Sequence, residues 1–294
     1  MLERRLAKMT QGETPEEVVQ GLRFLSKRPR MQLRGLIGAC NVLVERGEMD
    51  AAKGVAGDIC ALVGSGRTGH KGTVYGLERA AHIYGRCGDA ERSVAVWEMA
   101  LEHERAKHGP EAVPTVAATQ YLAGAVRSTG DLSRAVELQR WALRCLRHRD
   151  GSASERVLKA EEELAITLYE QHEYAEAQGL LEHVVDGLGD ARPEARVPRL
   201  WLASTLNKQG DREGAAKIRE ATLSMSQRFY GPEDRRTLND VDHLAVTLWA
   251  SGQRERARDL MEGSLASRER VLGDDDPDTQ AARKRFSALR DELG

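Results

Sequence analysis

Features that would assign a function directly are scarce in this sequence. Its four cysteines lie at wide, irregular spacings without a C-x-x-C pair, so we expect a reduced, cytoplasmic protein. No run approaches 18 apolar residues, and the first six residues lack the apolar core of a signal peptide, so we expect no membrane span. The net charge is −2, and Arg and Glu residues are interspersed along the chain. The sequence therefore has no concentration of positive charge that would favour nucleic-acid binding.

Aromatic residues make up only 4% of the 294 residues, and there are only 8 prolines. Charged residues, by contrast, reach 31%, and there are 28 glycines. This balance suits exposed helical faces over a thin core of Ala, Leu and Val better than a β-sandwich or barrel. The glycines then separate the helices. A helical array can be one continuous body of any length, so the length alone does not require two domains.

One pattern recurs along most of the chain with a period of about 42 residues. Each copy has a glycine and, five positions later, a small residue, as at Gly210 and Ala215 or Gly252 and Ala257. Another small residue lies seven positions before the glycine, and mostly large apolar residues lie eight and four positions before it. His172 replaces the glycine in one copy. A fixed period of this length is the signature of a repeat architecture.

These spacings predict a helical hairpin in each copy. Intervals of three, four and seven place the apolar residues on one stripe of a helix, which the glycine ends because it tolerates the left-handed conformation. The later small residue lets the second helix approach closely. One hairpin cannot bury its apolar face alone, so hairpins must stack. We therefore predict an all-α solenoid over residues 31–294, with about six hairpins and a last helix ending at Gly294.

The two ends of the chain differ from the repeats. Residues 1–30 are too few for a complete hairpin, but Thr14 and Pro15 with two following acids form a helix start, which predicts a capping helix. At the other end, Phe286 and Leu289 belong to a helix with no partner helix after it. Either basic residues near Arg285 make this helix a polar cap, or its apolar face docks on another subunit and the chain self-associates.

The pattern resembles the tetratricopeptide repeat, which has Leu-Ala in its first helix, Gly at the turn and Ala in its second helix. Two features resemble a narrower group, the kinesin-light-chain-like repeats, of bacterial type. They are the 42-residue period and the motif Leu-Gly-Asp-Asp-Asp-Pro-Asp-Thr at residues 272–279. That group has His where Asp276 stands. The resemblance covers roughly residues 32–294 and implies a right-handed α-α superhelix.

Two departures limit what the resemblance implies. The Asn-Asn pair that usually precedes Leu-Ala is replaced, for example by Asp242 and His243, so a specificity that rests on those asparagines is not implied. The heptad coiled coil of kinesin light chains is also missing, so a motor-linker role is not implied.

No catalytic or metal-binding motif is complete in the sequence. The stretch from Gly64 to Thr73 resembles a phosphate-binding loop, but His70 stands where lysine is needed and Lys71 comes one residue late. The acidic run Asp274–Asp278 lacks the alternating carboxylates, glycine and distal glutamate of a calcium loop. The eight histidines show no ligand spacing. We therefore predict no enzyme activity, no cofactor and no metal.

The remaining candidate site is the concave groove that the resemblance implies. In tetratricopeptide arrays, positions ten, nine, six and three before the turn point into the groove. The candidate residues at these positions are Glu78, Arg79, His82, Gln120, Tyr121, Arg127, Glu162, Glu163, Tyr169, Trp201, Asn207, Asp242, His243 and Trp249. Four of the thirteen aromatic residues are in this set, and such rings beside charges are typical of peptide anchors. They are equally typical of packing between adjacent helices.

These residues predict a non-catalytic scaffold that binds a protein or an extended peptide in the groove. The acidic members of the set favour a ligand with Arg or Lys residues; they are Glu78, Glu162, Glu163 and Asp242. The alternative is a regulatory or sensor subunit that changes superhelix curvature on binding and acts on a separate output protein. We predict no binding to nucleic acid or membranes.

Overall fold

The computed structural model describes residues 29–66, 68–189 and 192–291, and in them the chain forms thirteen α-helices and no strand. The helices are α1 (Pro29–Glu45), α2 (Met49–Gly64), α3 (His70–Arg86), α4 (Ala90–His108), α5 (Val113–Ser128), α6 (Leu132–Asp150), α7 (Glu155–Glu170), α8 (Tyr174–Leu188), α9 (Arg196–Gln209), α10 (Arg212–Tyr230), α11 (Arg235–Ala250), α12 (Arg254–Leu272) and α13 (Pro277–Asp291). A 3-10 turn, Pro193–Ala195, precedes α9.

The helices follow the predicted order of six hairpins and a last helix. The odd-numbered helices α1 to α11 are the first helices of the hairpins, here called A helices, and the even-numbered ones are the B helices. The chain divides into two compact units between Arg149 and Asp150, and α1 to α6 up to Arg149 belong to the first. The all-α repeat fold is confirmed. The predicted capping helix lies outside the described residues except at its last two positions, and the division between residues 30 and 31 stays a prediction.

The small residues of the pattern lie where the two helices of each hairpin touch. The following are fully buried: Cys40, Ala52, Ala81, Ala123, Ala135, Ala165, Ala177, Ala203, Ala215, Ala245 and Ala257. Where serine replaces alanine in a B helix, the Oγ of Ser93 donates to the carbonyl oxygen of Ala81 at 2.9 Å. A larger side chain at these positions would separate the helices, because protein interiors are close-packed.

The turns between A and B helices have the left-handed backbone that the pattern predicts. Gly210 ends α9 with φ 90°, and its N–H donates to the carbonyl oxygen of Asn207 at 3.1 Å. His172 adopts the same conformation after α7, with φ 67°, although it has a side chain. Its Nδ1 lies 2.7 Å from the hydroxyl oxygen of Tyr174. His172 therefore occupies the turn position in its copy, as predicted.

We expect His172→Gly to raise the free energy of unfolding by about 0.5–1 kcal/mol. A side chain in the left-handed conformation costs about 1–2 kcal/mol, which the greater freedom of glycine in the unfolded chain and the lost contact with Tyr174 partly offset. Urea denaturation of both proteins measures the difference. The matched control is Gly210→Ala, which should lower stability by a similar amount. A stability gain in the control, or none in His172→Gly, would contradict this account.

Candidate functional site

Three aromatic rings meet where α3, α4 and α5 pack in the first unit. Trp97 of α4 and Tyr121 of α5 are stacked, with ring centroids 4.8 Å apart and an interplanar angle of 14°. His82 of α3 contacts Trp97 and Tyr121 edge-on, at 5.2 and 5.4 Å. Trp97 is 2% exposed, whereas Tyr121 is 51% exposed. This aromatic cluster, His82, Trp97 and Tyr121, therefore has a buried base and an open face.

Charged groove candidates lie beside the aromatic cluster on α3. The Nη2 of Arg79 donates to the Oδ1 of Asn41 in α1 at 2.5 Å. Burial, and then the carboxylate of Glu104, raise the pKa of Glu78. Partial burial of the ring, and then Arg79, lower the pKa of His82, so its imidazole is neutral at pH 7 and packs as an uncharged ring.

The other candidates in the first unit lie on α5. Gln120 and Arg127 are partly buried there, on the same helix as Tyr121. A separate cavity of about 960 Å³ lies between α1 and the start of α3, where Leu33, Ile37 and the half-exposed Tyr75 line it. Tyr75 was not among the sequence candidates, because it precedes the positions that the repeat pattern assigns to the groove.

Aromatic and acidic candidates lie on α7 and α9 in the second unit. The rings of Tyr169 and Trp201 are edge-to-face, with centroids 5.3 Å apart, and both are partly buried. The carboxylate of Glu162 is mostly buried and lies 2.8 Å from the Nζ of Lys159. Glu163 is more exposed, at 3.6 Å from the same ammonium. Of these two acids, Glu163 is the more accessible to a ligand.

Asp242 on α11 is 7% exposed, and its carboxylate already has three donors. It accepts hydrogen bonds from the Oγ of Ser264 and the Nη2 of Arg268, both at 2.9 Å. The Nη1 of Arg285 donates to it at 3.1 Å. Asp242 thus joins α11, α12 and α13, and its predicted role toward a ligand stays a prediction.

Three candidates of the second unit line one cavity of about 530 Å³: Asn207, Asp242 and His243. The Nδ2 of Asn207 donates to the Oγ1 of Thr247 at 3.3 Å. Partial burial, and then the neighbouring Arg219, lower the pKa of His243. The last candidate, Trp249, is partly buried, and its ring centroid lies 5.7 Å from the guanidinium carbon of Arg254.

The acidic run considered as a calcium loop forms the N-terminus of α13. The carboxylate of Asp276 accepts from the Nη2 of Arg235 at 2.8 Å and from the backbone N–H of Asp278 at 2.9 Å. In the described residues no three His, Cys, Asp or Glu side chains are grouped as metal ligands. None of the described helices has the length and apolar composition needed to cross a membrane.

The chain matches the tetratricopeptide repeat family model over residues 242–278, within α11 to α13. A putative kinesin light chain with nearly identical TPR-like repeats from Podosopora anserina is 22% identical, with a TM-score of 0.64 over 68% of this chain and 96% of that chain. BtubC (BKLC) from P. vanneervenii is 17% identical, with a TM-score of 0.60 over 78% of this chain and 92% of that one.

A third similar structure is the apo form of the quorum sensor NprR from B. thuringiensis. It is 13% identical, with a TM-score of 0.61 over 93% of this chain and 73% of that chain. No curated protein sequence matches the chain significantly. The chain thus contains a match to the tetratricopeptide repeat model at residues 242–278, and its helical repeat fold is similar to that of these kinesin-light-chain-like repeat structures.

Proposed function

We propose that the chain is a non-catalytic scaffold that binds an extended peptide or a partner helix on its A helices. The observation that carries the proposal is the open face of Tyr121 above the buried Trp97. A ring held by stacking loses little side-chain freedom on binding, and its hydroxyl offers a polar end to a ligand. Tyr and Trp are the residues that most often dominate binding energies at interfaces.

The acidic candidates support a ligand with basic residues. Burial, and then Glu104, raise the pKa of Glu78, and a ligand Lys or Arg beside it would counteract this by stabilising the ionised carboxylate. Among the acidic candidates of the second unit, Glu163 is the most exposed. Glu162 and Asp242 are mostly buried and pair with basic side chains at 2.8 and 2.9 Å, whereas the contact of Glu163 with Lys159 is longer, at 3.6 Å. The preference for basic residues therefore rests on Glu78 and Glu163.

We expect Tyr121→Ala to weaken partner binding by about tenfold or more while the protein stays folded. A partner is first captured from cells that make the protein, and its binding segment is mapped to a synthetic peptide. Isothermal titration then compares the Kd of that peptide for wild type and variant. Phe229→Ala is the matched control, because Phe229 is an exposed ring on the B helix α10. Unchanged affinity in Tyr121→Ala and in Trp201→Ala would refute the groove assignment.

The second candidate function is a sensor subunit whose shape changes on binding, and the likeness of fold to the quorum sensor NprR favours it. Solution scattering with and without the mapped peptide distinguishes the scaffold from the sensor. A rigid scaffold keeps the same radius of gyration on binding, whereas a sensor that changes shape does not. Cytoplasmic location, absence of catalysis and self-association through α13 stay predictions.

A further inference from the structure

The cavity of about 960 Å³ between α1 and the start of α3 combines an apolar wall with a basic rim. Leu33 and Ile37 of α1 are buried and form part of the wall. Met31 and Tyr75 also line it, and both keep about half of their largely apolar surface exposed. Small-ligand sites are mostly apolar pockets with a few polar groups, and this volume is near the upper end of their range. The cavity therefore has the size and the apolar surface to hold a small molecule.

Two glycines bring the start of α3 against α1 at this cavity. At Gly72 an added Cβ would lie 3.3 Å from the Cδ2 of Leu33, so the two helices touch without an intervening side chain. Gly69, which precedes α3, has φ 73°, and an added Cβ would lie 2.9 Å from the Nη2 of Arg30. The guanidinium of Arg30 therefore lies directly against the backbone of this turn, at the wall of the cavity.

Three cationic side chains line the cavity, and no carboxylate accompanies them among the described lining residues. The cations are Arg30 and Arg34 of α1 and Lys107 near the end of α4. All three are exposed, and none has an ion-pair partner within the described ranges. Clefts lined by one sign of charge with low-dielectric walls concentrate ions of the opposite sign. The cavity therefore attracts anionic groups.

Neutral polar side chains at the cavity are already engaged with other side chains. The Oδ1 of Asn41 accepts from Arg79 at 2.5 Å. The hydroxyl of Thr68 is buried and lies 2.5 Å from the hydroxyl of Thr73. An extended peptide needs partners for its backbone amides, because a buried amide without a partner is costly. The cavity instead offers cations and apolar surface, which suit a ligand with one anionic head group and an apolar body.

We propose that this cavity binds a small amphipathic carboxylate, of the class of medium-chain fatty acids. The guanidinium of Arg30 or Arg34 matches the geometry of the carboxylate with two parallel N–H donors, and Lys107 adds a further charge. The aliphatic chain packs on the apolar wall at Ile37 and Tyr75. The site is separate from the aromatic cluster and takes a small molecule, so it goes beyond the proposed binding of a peptide or a partner helix.

The test uses the full chain with isotopically labelled methionine methyl groups and follows its NMR spectrum during titration with octanoate. The methyl resonance of Met31, assigned with Met31→Leu, should shift saturably, whereas those of Met225 and Met261 in the second unit should not. Hexanoate should bind about tenfold more weakly, since each of its two missing methylenes contributes about fourfold. Octanamide, the neutral counterpart, should bind about tenfold more weakly or worse. No shift of Met31, or equal affinity for octanoate and either counterpart, would overturn the proposal.

Variants connect the response to the cavity. Arg34→Gln/Lys107→Gln removes two of its three cations and should weaken octanoate binding by about tenfold or more. Both side chains are exposed, so the fold does not depend on them. The matched control is Arg86→Gln/Arg144→Gln, which removes the same charge from exposed positions of the first unit outside the cavity. Equal weakening in the control would overturn the site. The mapped peptide takes no part in this test, so its result is independent of the scaffold function.

Discussion

Asp242→Ala is expected to lower the free energy of unfolding of the second unit by about 3–5 kcal/mol. The substitution removes the acceptor of three donors, from Ser264, Arg268 and Arg285. Arg268 is 1% exposed, so its guanidinium would remain buried without its carboxylate partner. Breaking a buried ion pair from one side is costly because it leaves an uncompensated charge. Urea denaturation measures the loss, and hydrogen exchange should place it in α11 to α13.

Two controls distinguish a contribution of Asp242 to stability from a role of Asp242 in ligand binding. Glu163→Ala removes a more exposed carboxylate of the candidate set and should change stability by only about 0.5 kcal/mol. Asp242→Leu/Arg268→Leu replaces the whole buried pair and should recover most of the loss, because apolar replacement of both partners is often nearly neutral. A loss in Asp242→Ala as small as that in Glu163→Ala would show that these contacts do not hold α11 to α13 together.

The hairpin fold was predictable because each repeated residue is required by the backbone or the packing of its own hairpin. Gly210 is needed where the backbone is left-handed, and the pair Ala203 and Ala215 is needed where two helices touch. An unsuitable residue at either position destabilises the hairpin that contains it. The same residue types therefore recur in nearly every copy, and the pattern is recognisable in the sequence. His172 is the informative exception, since its copy keeps the left-handed turn without glycine.

The site was less predictable because its geometry depends on contacts between distant segments. Helical spacing assigns Asp242 to a face of α11 but does not reveal that Arg268 and Arg285, 26 and 43 residues later, pack against that face. The B helices were also left out of the groove prediction, although they contribute Trp97 and Arg219. No repeat signal marks these two residues, since they differ from copy to copy.

Trp97→Ala is expected to lower the free energy of unfolding of the first unit by about 3–5 kcal/mol. Trp97 is 2% exposed in a core that also contains Tyr84, Leu122 and Val126, so alanine would leave a large cavity. The stacking on Tyr121 adds about 0.5–1.5 kcal/mol that is lost with the ring. Urea denaturation followed by circular dichroism measures the change. Trp97→Phe keeps an aromatic ring and should retain most of the stability.

The same pair of variants tests whether Trp97 holds the ring of Tyr121 in position for the proposed peptide. Without Trp97, the exposed ring of Tyr121 loses its stacked support and gains rotational freedom, which a ligand must then restrict. At a temperature where both variants are folded, Trp97→Ala should therefore bind the mapped peptide more weakly than wild type, and Trp97→Phe nearly as well. Full affinity in Trp97→Ala would mean that Tyr121 binds without support, and that Trp97 serves stability alone.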